Sequence, residues 1–243
     1  MGLVCYKQYG WHKEVPLQNG KPHGRGHYQD AQGYIWKGTF VRGALCGYGL
    51  LMHPEKQISF EGQFQRGQMS GFGVWKDGLR RQQYRGHWKN NSFHGYGKHE
   101  NMAEQTVYEG HWRHHQRQGW GKMRYGDGSW YEGEWTKNKR HGKGIFVDDK
   151  ETKYVCAWQN NRLHGKGECR YADGSVFRGR WYQGKRKGAG FMFDAKGRPV
   201  KAGMWLDDVF QAHNLQRSGT SVSASERPGR AWQRSRTGLI RGA

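Results

Sequence analysis

Tyr131-Glu132-Gly133-Glu134-Trp135-Thr136-Lys137-Asn138-Lys139-Arg140-His141-Gly142-Lys143-Gly144 reads as one β-hairpin. Side chains alternate faces along a strand, so Tyr131, Gly133 and Trp135 share one face and Glu132 and Glu134 take the other. A polar turn over Asn138–Arg140 reverses the chain. In the return strand Gly142, Gly144 and Phe146 are expected on a common face. Glycine weakens a strand interior unless something must approach the backbone closely. Here the Tyr and Trp rings can lie flat over the glycine backbone of the neighbouring strand.

Degraded copies of this unit fill most of the chain. Gly-x-Gly pairs stand at 24/26, 47/49, 71/73, 95/97, 119/121, 142/144, 165/167 and 188/190, spaced by 23 or 24 residues. Eleven residues before each pair comes a strand-start residue: Lys13, Trp36, Phe60, Tyr84, Tyr108, Tyr131, Tyr154 or Phe177. Four further on stand Leu17, Phe40, Phe64, Trp88, Trp112, Trp135, Trp158 and Trp181, mostly with Gly midway and Cys156 in one copy. Self-similarity at a fixed period marks a repeat architecture in which each unit touches only its neighbours. The first copy, Lys13 to Ile35, keeps Asn19-Gly20 but lacks the aromatic strand, as a terminal cap would. After Pro199 a half-unit survives at 201–208 (Gly203, Trp205). Asp77-Gly78, Asp127-Gly128 and Asp173-Gly174 suit the positive-φ positions of tight connections between units. Glu100–Thr106 and Asp148–Lys153 are longer polar connections with weaker turn signals.

Composition excludes several classes. The 243 residues carry a net charge of +21, and only 34% are hydrophobic. The pI is about 10.0 and the mean hydropathy is −1.09. Such charge and hydropathy alone would indicate disorder, but 14% aromatic content, including 12 Trp, argues for a folded chain. The surplus of glycine, 39 residues, and the shortage of aliphatics argue against a conventional two-layer globule. No apolar run approaches the ~20 residues of a membrane helix. Cys5, Cys46, Cys156 and Cys169 match neither a zinc spacing nor a disulfide frame and are read as reduced cytosolic thiols. Met1 to Arg25 has no apolar signal-peptide core. Gly2 and Cys5 raise acylation, against which Tyr6 stands where the motif wants Ser or Thr.

The pattern Tyr-Glu-Gly-x-Trp, a polar turn and His-Gly-x-Gly, repeated over residues 13–208, resembles the MORN repeat (membrane occupation and recognition nexus). With repeats and little else, the chain is similar to small ciliary and flagellar members of that family. The resemblance implies a curved single-layer β-meander with a groove. The expected fold is therefore all-β: an elongated single-layer antiparallel meander of about eight hairpins, roughly 75 Å long at ~4.8 Å per strand. Units begin near 13, 36, 60, 84, 108, 131, 154 and 177. Residues 1–12 precede this rod, and 209–243 form a basic extended arm. From about Gln211 the arm holds six Arg, no Lys and one Glu226, and its anchor-like stretch is Arg230-Ala231-Trp232-Gln233-Arg234.

No catalytic, cofactor or metal site is expected. A phosphate-binding glycine loop occurs once, between a strand and a helix, whereas these eight copies lie between strands. His23, His94, His141 and His164 occupy one repeat position before Gly and read as packed or hydrogen-bonded turn residues. His114 and His115, if on a strand, would point to opposite faces. Glu61, Glu109 and Glu132 recur as solvated strand positions. Twelve residues before the repeats and about 35 after are too few for a catalytic domain.

Two surface features stand out. The residue inside each Gly-x-Gly (Arg25, Tyr48, Phe72, Tyr96, Trp120, Lys143, Lys166, Ala189) is placed by alternation opposite the glycines. Tyr48, Phe72, Tyr96 and Trp120 then form either an exposed partner-binding stripe or, if the sheet curls, part of the core. The second feature is a basic turn edge: Arg113 and Arg117, then Lys137, Lys139 and Arg140, then Arg162, then Lys185, Arg186 and Lys187. Lysine on exposed strands also guards against edge pairing. The charge nevertheless points to acidic partners, such as tubulin-like protein surfaces or anionic lipid. Nucleic acid ranks last, because the repeat itself uses the aromatics.

Taken with the resemblance, these features lead us to expect a non-enzymatic structural scaffold of a cytoskeletal assembly. The expected setting is the ciliary or flagellar axoneme, in a radial-spoke or microtubule-associated complex. Partners would bind the rod face (Tyr48, Phe72, Tyr96, Trp120) and the arm (Arg230, Trp232, Arg234). The alternative is a peripheral membrane tether, with Lys137, Lys139, Arg140, Lys185, Arg186 and Lys187 on phosphoinositides.

Overall fold

The computed structural model describes residues 14–211; the acylation motif and the arm with Arg230, Trp232 and Arg234 lie outside the described residues. Among the described residues every regular element is a strand. A small ladder, β1 (Leu17–Gln18) with β2 (Lys21–Pro22), precedes β3 (Gly24–Gln29). Then follow β4 (Ile35–Val41), β5 (Ala44–His53), β6 (Ile58–Gln65), β7 (Gln68–Asp77), β8 (Gln82–Lys89), β9 (Ser92–Asn101) and β10 (Thr106–Arg113). The chain continues through β11 (Gln116–Arg124), β12 (Trp130–Thr136), β13 (Lys139–Val147), β14 (Lys153–Gln159) and β15 (Arg162–Arg170). It ends with β16 (Val176–Tyr182), β17 (Lys185–Phe193), β18 (Pro199–Leu206) and β19 (Val209–Gln211). From β3 to β19 each strand pairs antiparallel with the next in sequence. No ladder joins β19 back to β3, so the sheet is an open meander in a single layer.

The two glycines of each Gly-x-Gly have different jobs. The second lies in a spine that crosses the sheet. Gly49, Gly62, Gly73, Gly86, Gly97, Gly110, Gly121, Gly133 and Gly144 are paired in succession. Cys156, Gly167, Gly179, Gly190 and Gly203 continue it. A buried ring sits on most steps, while over Gly38 and Gly49 the Leu45 side chain takes the ring's place. A Cβ on Gly133 would lie 2.5 Å from the Gly144 Cα and 2.6 Å from the Tyr131 hydroxyl oxygen. That hydroxyl donates to the Glu134 carbonyl at 3.0 Å, as Tyr84 and Tyr108 donate to His87 and His111. The Trp135 indole donates to the Gly121 carbonyl at 3.1 Å, and Trp112 and Trp158 repeat the bond to Gly97 and Gly144. Tyr131 meets Trp135 and Trp158 edge to face at 5.1 and 5.4 Å, the geometry that ring quadrupoles favour.

The first glycine is a bulge residue and differs from expectation. Gly47, Gly71, Gly95, Gly119, Gly142 and Gly165 all have φ between 59° and 81°. The register slips opposite each, as between Gly133 and Trp135. Left-handed backbone suits glycine. A Cβ on Gly142 would meet the Glu134 carboxylate on the outer face, so Gly142 does not share the face of Gly144 and Phe146.

The hairpin turns are two residues long with both φ positive, the type I′ geometry that matches strand twist. They fall at Arg42-Gly43, Arg66-Gly67, Asn90-Asn91, His114-His115, Lys137-Asn138, Asn160-Asn161, Gln183-Gly184 and Asp207-Asp208. The turn of the central hairpin is thus Lys137-Asn138, one residue earlier than the sequence pattern suggests. His114 and His115 are turn residues rather than strand residues. Successive turns are stapled together: Asn138 N–H donates to the Arg117 carbonyl at 3.1 Å, and Asn138 Oδ1 accepts from Arg117 N–H at 2.8 Å. Asn91 with Met69, Asn161 with Arg140 and Asp208 with Arg186 repeat both bonds.

On the other long side, Asx turns close the connections. Asp30, Asp148 and Asp194 each accept from backbone two and four residues on. Gly128 and Gly174 have the positive φ expected of Asp-Gly turns. Gly78 does not; Arg81 carries it instead, while buried Asp77 accepts from Arg80.

Besides the second unit, where Leu45 lies on the floor and Trp36 stacks on Tyr28, three units depart from the pattern. In the first, no aromatic strand precedes β3. Val15 donates to the His27 carbonyl and packs on Gly26, filling the place of a ring, and Leu17 is exposed. In the seventh, Cys156 stands in the spine. Its sulfur occupies the space above Gly167, and Tyr154 turns aside to stack on Phe146, ring centroids 6.0 Å apart. The buried core divides there into two clusters. In the last, β19 returns for three residues as far as Gln211, with Phe210 against Trp205.

Gly133→Ala should destabilise the protein by about 3 kcal/mol or more, because backbone on the opposite strand cannot yield to a Cβ. Tyr131→Phe, which loses one hydrogen bond, should cost only about 1 kcal/mol. Chemical denaturation of the two variants checks the order; similar costs would remove the close approach as the reason for the glycines.

Candidate docking surfaces

The outer face carries the residues between the paired glycines. Tyr48, Phe72, Tyr96 and Trp120 are 66%, 45%, 49% and 51% exposed, which decides the two placements open at the sequence level in favour of the surface. They sit on β5, β7, β9 and β11, one repeat apart, or about 9.6 Å at the usual strand spacing. In four units the side chain before the Trp or Phe supports the bulge beneath. Gln63 Oε1 accepts from Phe72 N–H, Glu134 Oε1 accepts from Lys143 N–H, and the His87 and His111 rings bond the Tyr96 and Trp120 carbonyls. The Tyr48 and Tyr96 hydroxyls donate to Glu61 and Glu109 at 2.9 and 3.0 Å. Those two glutamates therefore anchor tyrosines. Burial, and then the glutamate beside it, raises the pKa of each phenol and keeps it a donor.

Beside Trp120 an open depression of about 630 Å³ is lined by Lys89, His94, His111, Arg113 and His114. Burial, followed by Lys89, His114 and Arg113, depresses the His94 pKa. The Nδ1 atoms of His23, His94, His141 and His164 are shielded and make no hydrogen bond among the described residues, so these histidines pack. No group of three His, Cys, Asp or Glu among the described residues could hold a metal ion.

The core face is itself half open. A cavity of about 420 Å³ near the N-terminal end is lined by Trp36, Leu51, Ile58, Met69 and Trp75 among others. Farther along, three arginines cover the rings. Arg117 lies over Trp135 at 4.5 Å, Arg140 over Trp158 at 4.4 Å and Arg186 over Trp205 at 4.4 Å. This divides the basic turn edge. Lys137, Lys139, Lys185 and Lys187 are exposed at the turns of the sixth and eighth units. Arg140 and Arg186 are half-buried on aromatics and do not project beside them. The i-to-i+2 offset from a two-residue turn places Arg117, Arg140 and Arg186 over the core. It could be read from the sequence only once the turn had been set at Lys137-Asn138.

A family model, "MORN repeat", matches residues 17–33, 36–54, 60–80, 84–100, 108–130, 131–151 and 157–176, more than half of the chain. The chain belongs to the MORN repeat family. MORN repeat proteins are in general structural or binding proteins rather than enzymes. A search of curated protein sequences gives no significant match. Among solved structures, the MORN chain is similar to the SAS-4 (dCPAP) TCP domain of Drosophila melanogaster, solved in complex with a proline-rich motif of Ana2 (dSTIL). The identity is 12%, covering 76% of this chain and 96% of that one, with a TM-score of 0.39. It is also similar to the TCP10 domain of Danio rerio CPAP, at 12% identity over 75% of this chain and 90% of that one, with a TM-score of 0.36.

The thiols of the MORN sheet are free: Cys46 half-buried, Cys156 and Cys169 buried. Burial pushes Cys156 up to about 12 and Cys169 up to about 11, so neither forms thiolate near neutrality. Alkylation with iodoacetamide at about pH 8, mapped by mass spectrometry, should modify Cys46 and spare Cys156 and Cys169 until denaturant is added. Labelling of Cys156 in the native protein would show that the break in the spine opens.

Proposed function

We propose that this MORN protein is a non-enzymatic scaffold subunit of a cytoskeletal assembly, in the ciliary or flagellar axoneme. The observation that carries this reading is the exposed aromatic row Tyr48, Phe72, Tyr96 and Trp120 along four successive units. Large rings set at a fixed interval on a hydrogen-bonded sheet form a rigid, pre-ordered docking surface, in which little side-chain entropy is lost on binding. Arg25 continues the row on one side and Lys143 and Lys166 on the other, so acidic protein surfaces complement its ends. A radial-spoke or microtubule-associated complex fits a part of this kind. The arm residues Arg230, Trp232 and Arg234, outside the described residues, are included in the reading as a second contact.

Exposed Lys137, Lys139, Lys185 and Lys187 favour a second reading, attachment to anionic membrane at ~1 kcal/mol per lysine near the surface. Sedimentation with phosphoinositide vesicles tests it: charge reversal of Lys185 and Lys187 should release the protein if the turns bind lipid.

Proximity labelling from the N-terminus in a ciliated cell should enrich axonemal proteins. Tyr96→Ser with Trp120→Ser should abolish that enrichment by about tenfold or more while leaving the unfolding temperature within a few degrees, because both rings lie outside the core. Enrichment of plasma-membrane proteins instead, or unchanged labelling by the double variant, would overturn the reading.

A further inference from the structure

The position two residues past each hairpin turn lies on the core face. It is occupied by Leu45, Met69, Phe93, Arg117, Arg140, Leu163, Arg186 and Phe210 in successive units. The three arginines share one geometry: each guanidinium is stacked on a tryptophan and bonded to the second residue of the next turn. They differ in that residue. For Arg186 it is Asp208, whose carboxylate takes the Arg186 Nε–H at 2.9 Å. For Arg117 and Arg140 it is Asn138 and Asn161, and the ion pairs of the described residues leave both guanidiniums without a carboxylate. Burial lowers both arginine pKa values, and the titratable groups facing them, Tyr125 and Tyr108 for Arg117 and Tyr125 and Tyr131 for Arg140, are phenols whose own burial keeps them neutral. Two half-buried cations in adjacent units thus stand uncompensated, where the same fold has shown one compensated. Partly desolvated charge without a counter-charge is unfavourable until an anion arrives.

We propose that Arg117 and Arg140 receive two carboxylates of an acidic protein segment lying along the core face. The spacing narrows the segment further. Arg117 on β11 and Arg140 on β13 hold one register position two strands apart, which is about 9.6 Å. Same-face side chains of a β-strand repeat at ~6.7 Å, whereas those of a polyproline II helix recur every three residues at ~9.3 Å. The match is to an extended, proline-rich segment with Asp or Glu at every third position. Half-buried Tyr154 and Phe146 flank the path, and guanidinium and ring surfaces of this kind suit proline packing. The Tyr125 hydroxyl, within electrostatic reach of both arginines, adds a donor. The net charge of +21 steers an acidic segment to the sheet. This surface is opposite the aromatic stripe, so it does not depend on that stripe binding anything.

The asparagines provide the test. Asn138 and Asn161 have φ of 67° and 71°, and Asp208 holds φ 72° at the equivalent place, so Asp fits there. Asn138→Asp with Asn161→Asp gives each arginine an internal carboxylate. Calorimetric titration of the full chain with a short proline peptide bearing Glu at every third position should show salt-sensitive binding. The double variant should lose about tenfold or more in affinity, with an unfolding temperature equal to or above that of the parent. Lys143→Gln with Lys166→Gln removes the same net charge from the outer face and should leave the affinity within about twofold. Asp208→Asn, which frees Arg186, should tighten binding of a peptide two periods longer, because Leu163 on β15 holds the position between Arg140 and Arg186. Equal loss in both double variants would reduce the effect to net charge and overturn the proposal. So would equal binding of the Gln-substituted peptide, or of one with its Glu residues adjacent.

Discussion

The contact on which the sheet depends is backbone against backbone with a ring on top. Two facing glycines let neighbouring strands present a smooth floor, and the Tyr or Phe of the unit lies on it with its edge against two tryptophans. A single-layer sheet has no second layer to bury its apolar face, and this arrangement supplies the burial from within. The floor contributes no side chain, so the rings alone make the core thickness. The chain therefore folds with few aliphatic residues, and its glycine content follows from geometry rather than from flexibility. The same floor makes the structure intolerant, since a Cβ on Gly62, Gly86, Gly110 or Gly133 meets backbone across the strand pair, and one on Gly97, Gly121 or Gly144 meets a tyrosine ring packed in the core.

The spine also explains how the ends and the interruption behave. Where no aromatic is available, in the first unit, Val15 is brought back over Gly26, and the edge of β3 is covered by the chain that precedes it. Where Cys156 replaces glycine, its sulfur takes the ring's place and Tyr154 is displaced sideways. The ladder passes through this point unbroken while the packed core divides. Continuity of hydrogen bonding and continuity of packing are therefore separable in such a sheet. The turn staples carry the former across a unit in which the latter is weak.

The period and the composition of the units made the hairpins legible in sequence, because alternation leaves only one way to place Tyr131, Gly133 and Trp135 on a common face. The two roles within Gly-x-Gly were not legible. A glycine required by left-handed φ and one required by close approach are the same letter, and only the register slip opposite Gly142 separates them. The turn suffered from the same ambiguity. Lys137-Asn138 carries no glycine, and neither do His114-His115 or Asn160-Asn161, so turn chemistry alone did not fix the two residues with positive φ. That one-residue shift mattered for the surface: it moved Arg140 from an exposed turn to a stacked position over Trp158. Alternation did place Tyr48, Phe72, Tyr96 and Trp120 opposite the spine, but it could not say whether that side met solvent.

The two faces consequently have different chemistry for one structural reason. Residues on the outer face answer only to the bulge, whose amide and carbonyl they serve through Gln63, His87, His111 and Glu134, so the exposed position above is free to vary from Tyr to Lys along the rod. Residues on the core face must cover a ring or the glycine floor: Phe93 stacks on Tyr84, Arg117 lies over Trp135, and Leu45 lies over Gly38 and Gly49. An arginine satisfies that demand with its planar guanidinium, yet it brings a charge that leucine does not. In the unit ending at Asp208 the next turn neutralises it. In the units ending at Asn138 and Asn161 the turn keeps its geometry and withholds the counter-charge, which leaves a surface built to the standard of the core and electrostatically incomplete.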